Sequence, residues 1–196
     1  MKPGEPRVIE SASTELFKTL KRLVGTKGIR RHRMAMFAGS RVVNETLARH
    51  PDRCVALVTA KSRETTLETA PPRHLSEYQV LPAMFRELDV LGTAYPLLLV
   101  QAPPLPKWDP AETPPPGCTV LVPFQDPENV GAVIRSAVAL GAPRVVVLEE
   151  AAHPYHAKAV RAASGLTLDA EILRGPALAD IPDSVSAIPL STRGKP

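Results

Sequence analysis

Residues 102–117 read APPLPKWDPAETPPPG, and this run constrains the fold more than any other part of the chain. Proline fixes its own φ, removes a backbone donor and pushes the preceding residue to extended geometry. The segment therefore suits neither a helix nor an interior strand, and a stiff extended connector is expected. It divides the chain into residues 1–101, the connector at 102–117, and residues 118–196. Trp108, its aromatic side chain, is expected to anchor the connector on a domain surface.

The first unit shows mixed periodicity. Leu16, Leu20 and Leu23 recur at helical spacing, with Lys18, Lys21 and Arg22 on other faces. A basic connector follows, Lys27-Gly28-Ile29-Arg30-Arg31-His32-Arg33, and then an apolar stretch over residues 34–38. Gly39-Ser40 ends that stretch, residues 41–50 read as a helix, and residues 54–58 and 97–100 read as strands. Short strands alternating with helices predict a small α/β or α+β module.

The second unit has a clearer rhythm. Residues 119–122 predict a buried strand, and residues 126–140 a helix with Asp126 as N-cap, Pro127 at its first position and Gly141 as its stop. A strand over residues 144–148 and a helix over residues 155–164, closed by Gly165, come next. Residues 168–173 and 185–190 are expected to be further strands. Near-continuous apolar strands joined by helices predict an open α/β fold, with a parallel sheet covered on both faces. Such sheets bind ligands beyond the carboxyl ends of their strands.

Composition excludes several classes. The two cysteines, Cys54 and Cys118, form no CxxC pair, which argues against structural zinc and for a reducing, cytoplasmic setting. Both are expected in the core. The opening MKPGEPRVIES is unlike a signal peptide, and residues 97–100 are too short an apolar run to span a bilayer. His153-Pro154-Tyr155-His156 lacks the companions of a metal site. A net charge of +4 and a pI near 9.3 suit a polyanionic partner without requiring one.

The turn between the second unit's first strand and helix carries Asp126-Pro127-Glu128-Asn129-Val130-Gly131-Ala132-Val133-Ile134-Arg135-Ser136-Ala137, with Gly141 beyond it. This resembles the first motif of the SpoU (TrmH) family of RNA 2′-O-ribose methyltransferases, DPxNxGAxxRxAxxxG. Lys158-Ala159-Val160-Arg161-Ala162-Ala163-Ser164-Gly165 resembles the family's next helix, which ends in an RxSxG pattern. The first unit is similar to its L30e-like RNA-binding domain, in the order helix, basic turn, strand, glycine, helix. It departs where relatives often carry Glu, since Ala38 precedes Gly39, which weakens inference about a contact there. The resemblance implies an L30e-like α/β substrate-binding domain followed by an open parallel-sheet SPOUT methyltransferase domain. The family's later motifs, a GxExxG-like loop and an SLNxS-like turn, do not occur in these residues, so its C-terminal knot is expected to be missing from this chain.

That resemblance also implies a chemistry: S-adenosylmethionine-dependent methylation of a ribose 2′-hydroxyl, in ribosomal RNA before transfer RNA, by a full-length homodimer. Arg135 would be catalytic and Asn129 would assist it. A guanidinium is a poor base, so gripping a phosphate and lowering the hydroxyl's pKa is the easier role. On a helical wheel Arg135 falls off the apolar arc of Val130, Val133, Ile134, Ala137 and Val138. A plain surface arginine is the competing reading. For Asn129, ordering the turn competes with touching the ribose. For Gly131, close RNA approach competes with helix packing, and Glu128 is either paired or solvated. Leu190, Ser191, Thr192 and Gly194 would belong to the first of three cofactor loops, and the 196-residue chain alone is expected to be inactive. Lys27, Arg30, Arg31, Arg33 and Arg41 form a candidate RNA-backbone patch. The rival readings are a non-catalytic RNA-binding protein with a degenerate methyltransferase half, and an interaction scaffold.

Overall fold

A computed structural model describes residues 6–61, 67–113, 115–142 and 144–189. The first unit is a three-layer arrangement around a mixed sheet. Its elements are β1 (Arg7–Ile9), α1 (Glu15–Arg22), α2 (Thr26–His32), β2 (Met34–Phe37), α3 (Ser40–Arg49), β3 (Cys54–Ala60), β4 (Ser76–Val80), α4 (Pro82–Leu88) and β5 (Leu97–Gln101). The strand order is β1-β4-β3-β5-β2, with β1, β4 and β3 parallel and β5 antiparallel to both β3 and β2. Alternation along the strands separates two apolar faces. Met36, Leu97 and Leu99 face α1 and α4, whereas Ala35, Phe37, Leu98 and Val100 face α2 and α3.

The second sheet is β6 (Thr119–Val122), β7 (Arg144–Val147) and β8 (Glu171–Arg174), all parallel in that order. Helices α5 (Pro127–Ala139) and α6 (Ala157–Ala162) are its crossovers. As the sequence predicts, Asp126 caps α5 and Pro127 stands at its start, while Gly141 and Gly165 follow the two helices at positive φ. One face of the sheet packs Val122, Val145, Val147 and Ile172 against Val130, Ile134 and Ala137 of α5. The other face packs Val146, Leu148 and Leu173 under Trp108 of the connector, with Ile181 and Val185 beside it.

The connector is part of the fold. Trp108 N donates to Arg174 O at 2.9 Å, and Arg174 N to Pro106 O at 2.8 Å. The chain thus runs beside β8 and covers an edge that would otherwise invite association. Proline tolerates this edge position because the donors come from its neighbours. At the opposite end of the strands, buried Arg144 of β7 donates to Glu171 on β8 at 3.0 and 3.2 Å, and to Glu112 of the connector at 3.3 Å. These acceptors hold the Arg144 guanidinium above its ordinary pKa, with the Glu171 hydrogen bond leading.

Several expectations are corrected. The basic segment is a helix, α2, because Gly28 allows it against α1 and buries Ile29: a Cβ at Gly28 would lie 1.8 Å from Arg22 O. Strand β8 begins at Glu171, and residues 166–168 form a 3-10 turn instead. Residues 185–189 are not a strand, since Val185 turns back (N to Pro182 O, 2.9 Å) and packs on the sheet face. Cys54 is buried, but Cys118 is exposed because it precedes β6 and lies outside the core. Strands β1 and β4 and helix α4 carry weak local signals and emerge only in the structure.

Helix α6 stands between the two sheets. Ala163 packs toward the second, while Val160 and the preceding Tyr155 enter the core of the first. A salt bridge from Arg49 and a hydrogen-bond contact from His50 Nε2 (3.1 Å) cross the same junction to Asp169. On its other side α6 meets α5 at Gly131, where an added Cβ would lie 2.0 Å from Ala159 O and 2.8 Å from Ala162 Cβ. Backbone approach between the helices is therefore the reason for this glycine. Gly131→Ala should cost about 1–3 kcal/mol through overpacking, read as a lower midpoint in chemical denaturation. An unchanged midpoint would show that α6 is free to move aside.

The two histidines before α6 act as backbone acceptors. His153 Nδ1 accepts from Tyr155 N at 3.2 Å, and His156 Nδ1 caps α6 by accepting from Lys158 N at 3.3 Å. Burial, then the charges of Arg30 and His156, push His153 down to about 4; burial, then Lys158, lowers His156. Folded His153 thus binds its proton less readily than in the unfolded chain, whose value is near 6.5. The stability contributed by the neutral His153 ring should fall as pH drops from about 6.5 toward 4, and this contribution levels off below. His153→Asn should flatten that slope in pH-dependent denaturation, and an identical slope in the variant would remove His153 as its source.

Candidate active site and nucleic-acid interface

The motif turn lies at the carboxyl end of β6. Asp126 Oδ1 accepts from Glu128 N at 2.9 Å, which sets the start of α5. Leu148 N donates to Val122 O and Ala152 N to Phe124 O, at 3.0 and 2.9 Å, so the turns after β6 and β7 are held side by side. This is where an open parallel sheet presents ligands to its loops.

Arg135 is exposed on α5, off the buried arc of Val130, Ile134 and Ala137. Among the described residues no carboxylate pairs with it. Asn129 is also exposed, with no side-chain hydrogen bond among the described residues. The turn is ordered by Asp126 instead, which leaves the Asn129 amide available to a ligand. Six residues separate Asn129 from Arg135, roughly 9 Å along the axis and about 120° apart around it. A molecule touching both must be extended across the first turns of the helix. Glu128 approaches Lys158 at 4.0 Å, and both are half or more exposed, so the pair contributes little.

The basic residues are distributed around α2. All of Lys27, Arg30, Arg31, Arg33 and Arg41 are exposed. Lys27 and Arg31, one turn apart, line a shallow depression of 210 Å³ together with Arg22. Arg30 lines a separate cleft of 650 Å³ between the units. Arg33 terminates α2 in the left-handed conformation. Arg41 stands apart on α3, where its Nε donates to Glu45 at 2.8 Å. Four of the five cations thus belong to α2 and its cap, and Arg41 belongs to α3.

The 650 Å³ cleft also contains Lys107 and Arg174, which sequence reasoning missed. Each is an isolated cation in the sequence, and only the pairing of connector with β8 joins them. The candidate cofactor residues Leu190, Ser191, Thr192 and Gly194 lie outside the described residues. Cys54 is not a nucleophile: burial, then Asp52, pushes its thiol up to about 11, and Sγ donates to His50 O at 3.3 Å. Among the described residues no cluster of His, Cys, Asp or Glu could hold a metal ion, and no helix is long and apolar enough to cross a membrane.

Residues 118–187 match the family model described as the SpoU rRNA Methylase family. Over 189 residues the chain is 47% identical to ribosomal RNA small subunit methyltransferase G 2 of Syntrophobacter fumaroxidans, covering 96% of this chain but only 38% of that protein. The SpoU methyltransferase AviRb from Streptomyces viridochromogenes, solved with AdoMet, superposes with a TM-score of 0.69 at 24% identity, over 85% of this chain and 65% of that one. An AdoMet-bound rRNA methyltransferase from Sinorhizobium meliloti gives 0.66 at 20% identity, over 88% and 66%. At these identities the two structures speak for the fold. The motif at the β6–α5 turn, the parallel sheet around it and the family match point the same way: residues 118–187 are similar to the SpoU rRNA Methylase family, in the fold of the solved SpoU methyltransferases.

Proposed function

We propose that the protein containing this chain methylates a ribose 2′-hydroxyl in RNA, using S-adenosylmethionine, with ribosomal RNA the preferred target over transfer RNA. The observation carrying this reading is the β6–α5 turn and the capped helix after it, where Asn129 and Arg135 are exposed and, among the described residues, unpaired within the family-like motif. Residues 1–101 act as the L30e-like substrate-binding domain, residues 102–117 as the connector and residues 118–196 as the start of the catalytic domain. The protein works in the cytoplasm as a homodimer. The relatives with AdoMet in their names support the cofactor, which supplies an electrophilic methyl group when bound. Leu190, Ser191, Thr192 and Gly194 are assigned to its loop on the family resemblance.

The chemistry falls to this chain's own polar groups. Arg135 is permanently cationic and cannot take the hydroxyl's proton. Its fork grips the phosphate beside the target ribose, and its charge lowers the hydroxyl's pKa and stabilises the oxyanion while the proton passes to solvent water and the oxygen takes the methyl group. Asn129 supplies a donor and an acceptor roughly 9 Å along the helix, a spacing suited to a nucleotide lying across α5. Lys27, Arg30, Arg31 and Arg33 hold the RNA at a distance from the reacting sugar. Arg41 joins them only by breaking its pair with Glu45.

Two outcomes are expected. In the whole protein, Arg135→Ala should lower methyl transfer about 10²–10³-fold with cofactor affinity retained. Arg135→Lys should recover only part of that loss, because lysine lacks the planar fork. Near-wild-type turnover in either variant, by tritiated-methyl incorporation, would reduce Arg135 to a surface residue. Separately, the 196-residue chain should bind structured ribosomal RNA with salt-sensitive affinity. Replacing Arg30, Arg31 and Arg33 together by Ala should weaken binding and flatten the salt slope by about 0.9 for each duplex phosphate no longer neutralised. An unaltered slope would take α2 off the RNA surface.

A further inference from the structure

The cleft between the two units carries cations that methyl transfer at the β6–α5 turn does not use. Its volume is 650 Å³. Arg30 comes from α2, Lys107 from the connector and Arg174 from the end of β8, and all three are exposed. The bridge between Lys107 and Arg174 fixes these two as neighbours on adjacent segments. Among the described residues none of the three meets a carboxylate within salt-bridge distance, and Glu149 is the single acid in the lining. The remaining walls are largely rigid and apolar, with Pro103, Pro104, Pro154 and Pro176 among them.

His153 also lines this cleft. Its Nδ1 accepts the Tyr155 amide, so the neutral ring carries its proton on Nε2 and is a donor there. Burial keeps the ring neutral at ordinary pH. The cleft therefore gathers three cations and a neutral donor, and its lining has no Phe, Tyr or Trp on which a base could stack. Such a lining favours phosphate over base recognition and tolerates any sequence.

We infer that this cleft is a second RNA contact, in which Arg30, Lys107 and Arg174 bind the phosphate backbone of a single strand passing from α2 to the carboxyl edge of the second sheet. The inference rests on the RNA-binding reading above. Helix α2 makes the path continuous, because Lys27 and Arg31 line the depression and Arg30, between them in the chain, lines the cleft. The concavity, held between the units by a proline-stiffened rim, suits an extended strand and not a duplex.

The test uses the 196-residue chain and a fluorescent ribosomal RNA fragment with a stem and a single-stranded flank, titrated at several salt concentrations. Lys107→Gln combined with Arg174→Gln should weaken binding several-fold and flatten the salt slope by about 1.4, as expected for two single-strand phosphates. Lys61→Gln, far from the cleft, should do neither. Deleting the flank should abolish the difference between wild type and the double variant. If the double variant binds like wild type while Arg31→Ala weakens binding, the cleft is not an RNA contact and the RNA reading survives. If wild type binds no RNA at any salt, both readings fall. If inorganic phosphate or a mononucleotide saturates the cleft without competing with RNA, a small anion is its ligand and the inference is overturned.

Discussion

The packing of α6 on both of its sides is the constraint on which the rest depends. On one side Gly131 lets α5 approach so closely that a single methyl group would collide with Ala159 O. On the other, Val160 and Tyr155 are buried in the core of the first unit. A six-residue helix has little intrinsic stability. Its position is therefore set by what it touches, and it touches both sheets. The relation of the basic helix α2 to the β6–α5 turn follows from that double burial, as does the cleft between the units.

The connector completes the arrangement by a different principle. Its prolines cannot form a ladder, yet one bridge to β8 and the burial of Trp108 are enough to seat it. A stiff chain loses less entropy on docking than a flexible one, so few contacts suffice. The Arg144–Glu171–Glu112 cluster fastens the connector at the amino edge of the sheet. At the carboxyl edge of β8, by contrast, Lys107 and Arg174 form no salt bridge among the described residues.

Much of the second unit was legible in the sequence. Helix α5 with its Asp126 cap, its Pro127 start and its glycine stop follows from local chemistry, as do three strands too apolar to stand at a surface. The exposure of Arg135 followed from its place on the helical wheel. Less was legible in the first unit. Strand β4, SEYQV, alternates weakly and is only partly buried, and β1 is a three-residue strand. The basic segment reads as a polar connector until Gly28 and Ile29 are seen against α1. Residues 185–189 have a strand's apolar character, but Val185 finds the face beneath Trp108 instead of a neighbouring backbone.

What the sequence by itself determined is the local grammar: where the chain breaks, which helix carries the motif, and which residues on it avoid the core. These depend on backbone preferences and on periodicity, which act over a few residues. Only the tertiary structure decided which cations share a surface. It set Arg30 in one depression and its neighbour Arg31 in another, occupied Arg41 with Glu45, and joined Lys107 to Arg174 across 67 positions of chain. The same holds for Gly131, whose purpose is a contact with a carbonyl 28 residues away. Long-range neighbours are fixed by the docking of whole elements, and nothing in the local pattern of a lone lysine or glycine encodes what will be packed against it.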